Sequence, residues 1–121
     1  MEEFRVIIAG GREVTGDTAD ELVSSAIFES GWQDEITEVI HGDAHGIDKA
    51  AQRVCQGKWP IVRMPADWDS YGKSAGPRRN REMAERADAL IAVWDGMSRG
   101  TANMIQTAKQ RGLSVFVYRY T

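Results

Sequence analysis

The sequence predicts one α/β domain, a three-layer Rossmann-like doubly wound sheet of about five mostly parallel strands with four helices. Three observations predict it. Five short apolar runs alternate with four stretches of helical periodicity. No hairpin signal such as Asn-Gly joins two apolar runs, so successive strands must be linked by crossovers, which are right-handed and give parallel pairing. The fourth run, ALIAVW, shows no polar alternation, as a strand covered on both faces requires. The 121 residues suit one core, and residues 1–121 are read as a single domain.

The first strand is Phe4 to Ala9, ended by Gly10-Gly11. Asp17 or Thr18 is placed to cap a helix with Leu22, Val23, Ala26 and Ile27 on one face, and Gly31 is its stop. Thr37 to Ile40 is the second strand, closed by His41-Gly42. Ile47, Ala50, Ala51 and Val54 keep the i, i+3, i+4, i+7 spacing of a helix from about Gly46 to Gln56. Trp59 to Met64 is the third strand, and Pro65 to Gly76 reads as a long polar loop. Pro77 suits the first turn of a helix whose inner face carries Asn80, Met83, Ala84 and Ala87. Ala89 to Trp94 is the fourth strand, Asp95 to Gly100 a loop, Thr101 to Arg111 the last helix, and Leu113 to Tyr118 the fifth strand.

Composition narrows the function. Hydrophobic residues at 42% and charged residues at 27% are those of an ordinary soluble domain. Fifteen Lys and Arg against eighteen Asp and Glu leave a net charge of −3, which argues against a sequence-independent nucleic-acid coat. Cys55 is the single cysteine, excluding an internal disulfide and a Cys-rich zinc site. The start, MEEFRVIIAGG, does not read as a signal peptide, and no run approaches the roughly 20 apolar residues of a membrane span. The expected setting is cytoplasmic, with no membrane partner.

Ligands of open parallel sheets bind beyond the carboxyl ends of the strands, where helix N-termini favour anions. This sequence gathers glycines and bases there: Gly10-Gly11-Arg12 after the first strand, and His41 to Asp48 (with Gly42, Asp43 and Gly46) after the second. After the third come Asp67, Trp68, Lys73, Gly76, Arg78, Arg79 and Asn80, and after the fourth Asp95, Gly96, Ser98, Arg99, Gly100 and Thr101. Glycine lets backbone amides approach a ligand, and arginine offers paired donors to phosphate or carboxylate. The same glycines also suit tight turns, Arg78-Arg79 also suits a solvated first turn, and Trp94 also suits the core. Asp43 and Asp48 fit either a helix cap or a sugar-hydroxyl acceptor, and Trp68 could cover a base.

Other motifs fail. Gly96-Met97-Ser98-Arg99-Gly100 matches G-x-S-x-G, yet no Asp, Glu or His follows Arg99 to complete a hydrolase triad. His41, Asp43, His45 and Asp48 match no standard metal spacing, and no metal is expected. Neither G-x-G-x-x-G nor a P-loop is present.

Four segments in this order, GGR at 10–12, HGDAHGID at 41–48, PADWDSYGKSAGPRRNREM at 65–83 and WDGMSRGTANMI at 94–105, resemble the SLOG superfamily (Smf/DprA and LOG), and within it the small YspA-like, YpsA-related branch. The resemblance covers nearly the whole chain and implies a Rossmann-like fold. LOG-type members cleave nucleoside monophosphates through PGGxGTxxE and an RKxxM-like segment. Here Arg79 to Met83, RNREM, takes the second, and Gly96 to Thr101 the glycine-threonine turn, but Met104 stands at the catalytic Glu. DNA-processing members carry a segment like HGDAHGID. Molybdenum-cofactor carriers in the superfamily hold a phosphorylated pterin without turning it over. The resemblance therefore implies binding or sensing of a nucleotide-derived anion, with a bound nucleotide or phosphate as ligand and no certain cofactor. Phosphate is expected at Gly96–Thr101 and Arg78-Arg79-Asn80, and Gly10 to Arg12 along the sugar or a second phosphate. A nucleotide N-glycosidase using Asp43, Asp67 or Asp95 as its acid is the alternative, and single-stranded DNA binding a minor one. Relatives often dimerise through helices beside the site, so a homodimer is an open expectation.

Overall fold

The computed structural model describes residues 2–120. Its elements alternate as the periodicities require: β1 (Arg5–Gly10), α1 (Gly16–Ser30), β2 (Glu38–His41), α2 (Ile47–Cys55), β3 (Ile61–Arg63), α3 (Trp68–Tyr71), α4 (Ala75–Arg86), β4 (Ala89–Trp94), α5 (Arg99–Gln110) and β5 (Ser114–Arg119). The five strands form one sheet in the order β3-β2-β1-β4-β5, with every pair parallel. The chain thus builds outward from β1 to β3, then crosses back over the sheet to place β4 on the other side of β1. That reversal is the topological switch point, and it lies between the carboxyl ends of β1 and β4.

Each central strand feeds two cores by its two-residue period. Val6 and Ile8 of β1 and Ala89, Ile91 and Val93 of β4 pack with Ala19, Val23, Ala26 and Ile27 of α1 and Ile47, Ala50, Ala51 and Cys55 of α2. Ile7 and Ala9 of β1 and Leu90 and Ala92 of β4 pack on the other side against Met83 and Ala84 of α4 and Met104, Ile105 and Ala108 of α5. Burial on both faces explains why ALIAVW has no polar positions. Each fully buried Ile or Leu here contributes about 1.5–3 kcal/mol relative to exposure. Among the described residues no helix is long and apolar enough to cross a membrane.

The structure corrects several expected boundaries. Residues 65–76 are not all loop: Trp68–Tyr71 makes one helical turn, Gly72–Ser74 a 3₁₀ turn, and α4 already begins at Ala75. Asp67 caps that first turn by accepting from the Ser70 amide, a local signal hidden in a polar stretch. Pro77 lies in the first turn of α4, as expected, but as its third residue, so Arg78-Arg79-Asn80 lie past the helix start. At α1 the N-cap is Thr15, ahead of the expected Asp17 or Thr18. At α5 the cap is Ser98, ahead of the expected helix start at Thr101.

Candidate ligand-binding cleft

A cleft of about 420 Å³ opens at the switch point. Ala9, Gly10, Met83 and Met104 form an apolar floor; Ala44, Asp48, Arg79 and Asn80 line one wall; Arg12, Trp68 and Ser98 to Thr101 border the mouth. Two glycines make this geometry. A Cβ on Gly10 would lie 2.5 Å from the Val93 carbonyl and 2.6 Å from Ile47 Cγ1, so only glycine lets β1 end so close to both neighbours. Gly46 holds φ +83, and a Cβ there would strike the backbone of Gly11 and Arg12. The next amide, of Ile47, donates to the Gly11 carbonyl at 3.1 Å, pinning the β2–α2 turn against the β1–α1 turn.

Arg79 is the most embedded basic group. Its Nη1 donates to the Gly42 carbonyl at 2.7 Å and its Nε to Asn80 Oδ1 at 3.1 Å. Asn80 in turn donates to Asn103 Oδ1 at 2.9 Å, joining α4 to α5 across the cleft floor. Burial lowers the Arg79 pKa, the Asp48 charge opposes that, and the Arg12 charge adds to it. Asp48 sits in the first turn of α2, and its Oδ2 accepts from the Ala44 amide at 3.2 Å. Burial raises its pKa, against the amides of Ala44 and Gly42 and the charges of Arg79 and His41. A Cβ on Gly42 would collide with the Arg79 guanidinium and lie 2.9 Å from Asp48 Oδ2, so the two charges meet over this glycine.

The β4–α5 turn organises itself. Asp95 Oδ1 accepts from the amides of Met97 and Ser98, each at 2.8 Å, and these bonds, Ser98 first, hold the carboxyl below its usual pKa. Ser98 Oγ caps α5 by accepting from the Thr101 amide. The amides of Arg99 and Gly100, first and second in the helix, have no intrahelical acceptor by construction and give the cleft an anion-favouring end. Trp94 Nε1 donates to the Ser98 carbonyl at 3.1 Å, and Arg119 stacks 5.6 Å over Trp94 while its guanidinium fills the space a Gly96 Cβ would need. At the opposite lip Arg12 lies 5.4 Å over the Trp68 ring, and the ring packs on Gly76.

Of the residues singled out from sequence, Gly10, Arg12, Asp48, Trp68, Arg79, Asn80, Ser98, Arg99, Gly100 and Thr101 meet in the cleft. Others act behind it: Gly11, Gly42, Gly46, Gly96 and Asp95 shape the turns. Asp43, in the left-handed region at φ 57, is tied to Lys49 at 2.7 Å, which lowers its pKa. Its amide donates to His41 Nδ1 at 3.0 Å, so the buried His41 carries its proton on Nε2 and donates to Gln52 Oε1 at 2.7 Å. Arg78 stacks on Tyr71 and, with Asp67, lines an outer groove that Arg79 also borders. Lys73 stays in the exposed 3₁₀ turn. None of Asp43, Asp67 and Asp95 lines the cleft; its one carboxylate among the described residues is Asp48. The described residues contain no cluster of three or more His, Cys, Asp or Glu side chains that could hold a metal ion. Sequence reading missed Asn103 and Arg119. Asn103 lies one turn past Arg99 and was legible from helical spacing; Arg119 sits on β5, whose end carries no glycine-rich turn to draw notice.

No family model matches the chain. The Gene 61 protein of Mycobacterium phage D29 is 36% identical over 85 residues, covering 64% of this chain and 67% of that protein. This chain belongs to the Gene 61 family. Among solved structures, DNA processing protein A (DprA) from Streptococcus pneumoniae matches with a TM-score of 0.71 at 20% identity over 95% of this chain. The chain spans only half the length of that DprA chain. The molybdenum cofactor binding protein of Rippkaea orientalis matches at TM-score 0.64 and 15% identity, over 100% of this chain and 79% of that one. The molybdenum cofactor carrier protein of Chlamydomonas reinhardtii matches at 0.61 and 14%, over 96% and 76%. These likenesses show a Rossmann-like α/β fold for this Gene 61 relative.

Proposed function

We propose that the cleft binds a nucleotide-derived anionic small molecule, with phosphate at Arg79 and the first amides of α5, the sugar along Gly10 to Arg12, and the base on the apolar floor beneath Trp68. One observation carries this reading. A chain of net charge −3 collects Arg12, Arg79 and Arg99 around one cleft whose floor is apolar and whose edge is a helix N-terminus. An apolar surface with a few convergent charged groups is the usual form of a small-molecule site, and about 420 Å³ lies within the range such sites occupy. The DprA and cofactor-carrier likenesses are compatible with it at the level of fold. Within the superfamily we place the chain in the small YspA-like branch, as a cytoplasmic protein.

Binding without turnover is favoured over N-glycosidic cleavage. Met104 lines the floor where the resemblance expects a catalytic Glu, and a thioether cannot exchange a proton. The candidate acids Asp43 and Asp95 are held by Lys49 and by backbone amides. The test is a panel of nucleoside monophosphates, NAD and ADP-ribose, read by thermal stabilisation and by release of free base. Stabilisation without release supports the proposal. Base release that disappears in Asp95→Asn or Asp67→Asn overturns it in favour of the hydrolase. Tight single-stranded DNA binding with no response to any small nucleotide overturns it in favour of a nucleic-acid partner.

A further inference from the structure

Asp48 is an odd component of an anion site. It is 6% exposed, lies in the cleft wall, and shares the space over Gly42 with the Arg79 guanidinium. Among the described residues the pair makes no ion pair within bonding distance, so neither charge is consumed by the other. A hydrogen bond reaches Oδ2 from the Ala44 amide in the β2–α2 turn. The Gly42 amide also favours the charged carboxylate, but among the described residues no hydrogen bond of good geometry ends on Oδ1. Among the described residues no fully buried side-chain oxygen lacks a partner, so Oδ1 keeps some exposure, and Asp48 lines the cleft. A ligand that covers a carboxylate oxygen without giving it a donor strips its water at a cost, and a phosphate beside it is repelled as well. Both costs are offset only if the ligand itself brings a hydrogen-bond donor to that oxygen. Helix stabilisation alone accounts for an acid in the first turn of α2, but it gives no reason for the acid to face the cleft.

We propose that Asp48 makes the cleft selective for phosphorylated compounds that carry a free hydroxyl near the phosphate-bearing portion, so that ribonucleotides are preferred over their deoxy counterparts. The inference rests on the anion-binding reading above and adds the feature that ligand must have. Arg79 attracts the phosphate; Asp48 rejects any phosphate compound that cannot donate a hydroxyl hydrogen to Oδ1. Sites built to accept a hydrogen bond discriminate strongly against analogues that lack it, because the protein group is then left unpaired. Asp43, the other acid considered for this role, is occupied by Lys49 and stands outside the cleft.

The experiment is calorimetric titration of the full chain with AMP, 2′-deoxy-AMP, 3′-deoxy-AMP and inorganic phosphate, repeated with Asp48→Asn. The expected result is AMP binding about tenfold or more tighter than at least one deoxy analogue. The Asp48→Asn side chain keeps an oxygen for the Ala44 amide and turns its NH₂ group to the cleft. In that variant the preference should fall below about twofold, while inorganic phosphate binds more tightly than in the parent protein. AMP and both deoxy analogues binding equally to the parent protein would overturn the inference and leave the anion-site reading standing. Binding of none of the four would overturn that reading, and the inference with it. A purely structural role for Asp48 would weaken all four ligands in Asp48→Asn by the same factor, and that outcome also overturns the inference.

Discussion

Arg79→Ala is the perturbation that asks most of the cleft. The guanidinium donates at 2.7 Å to the carbonyl of Gly42, itself buried, and at 3.1 Å to Asn80. A hydrogen bond from a charged donor contributes about 1.5–3 kcal/mol, and the orphaned Gly42 carbonyl is part of that same loss and not an addition to it. A fall in stability of about 2 kcal/mol is expected. For a domain of this length that corresponds to a drop in Tm of roughly 6–10 °C. The ligand loses a charge-assisted, paired donor, so phosphate-bearing ligands should weaken by about 10- to 100-fold. Arg79→Lys separates the two effects. It restores the charge but not the planar fork, so it should recover part of the affinity and little of the Gly42 contact. Thermal melts and AMP titrations on the two variants read both quantities. A folded Arg79→Ala protein that binds AMP as tightly as the parent would refute the assignment of Arg79 to the ligand.

Further outcomes follow from the same geometry. Gly46→Ala places a Cβ in the backbone of the β1–α1 turn at φ +83, so a loss of more than about 2 kcal/mol is expected in denaturant melts; a near-neutral effect would show that the two turns are not locked together. Burial raises the folded-state pKa of Asp48 above its unfolded value, so its contribution to stability is present at low pH and is lost as pH rises through the folded pKa. Asp48→Asn should therefore melt higher than the parent at about pH 8, with the gap closing toward about pH 4, and a constant gap would contradict the sign. Arg119→Ala removes the support under Gly96 and Trp94 without touching the cleft, and should weaken AMP severalfold with a small change in Tm. Unchanged affinity in Arg119→Ala would mean that the β4–α5 turn holds its shape through Asp95 and Ser98 alone.

The sheet was legible because its signals are local and redundant. ALIAVW at 89–94 has the unbroken apolar run of a strand buried on both faces, and Ile47, Ala50 and Ala51 have the spacing of a helix's inner face. Strand ends also fixed which loops share the rim, since a parallel sheet puts them all on one side. What stayed hidden depends on distant contacts or on short caps. Asp67 closing a single turn on Ser70 leaves no apolar periodicity to detect, so residues 68–74 read as loop. Arg78 and Arg79 look equivalent in sequence, but Arg79 lines both the cleft and the outer groove, while Arg78 stacks on Tyr71 in the outer groove alone. Asp43 and Asp48 likewise looked interchangeable until Lys49 claimed the first. Arg119 reaches the site only through strand pairing, with β5 beside β4.

The most direct test of the anion-binding cleft is an amide chemical-shift titration of the full chain with AMP. Saturable shifts are expected at Gly10, Arg12, Arg99, Gly100 and Thr101, with α1 and β3 unmoved. Shifts absent from these residues, or confined to the outer groove around Arg78, Arg81 and Arg111, would contradict it.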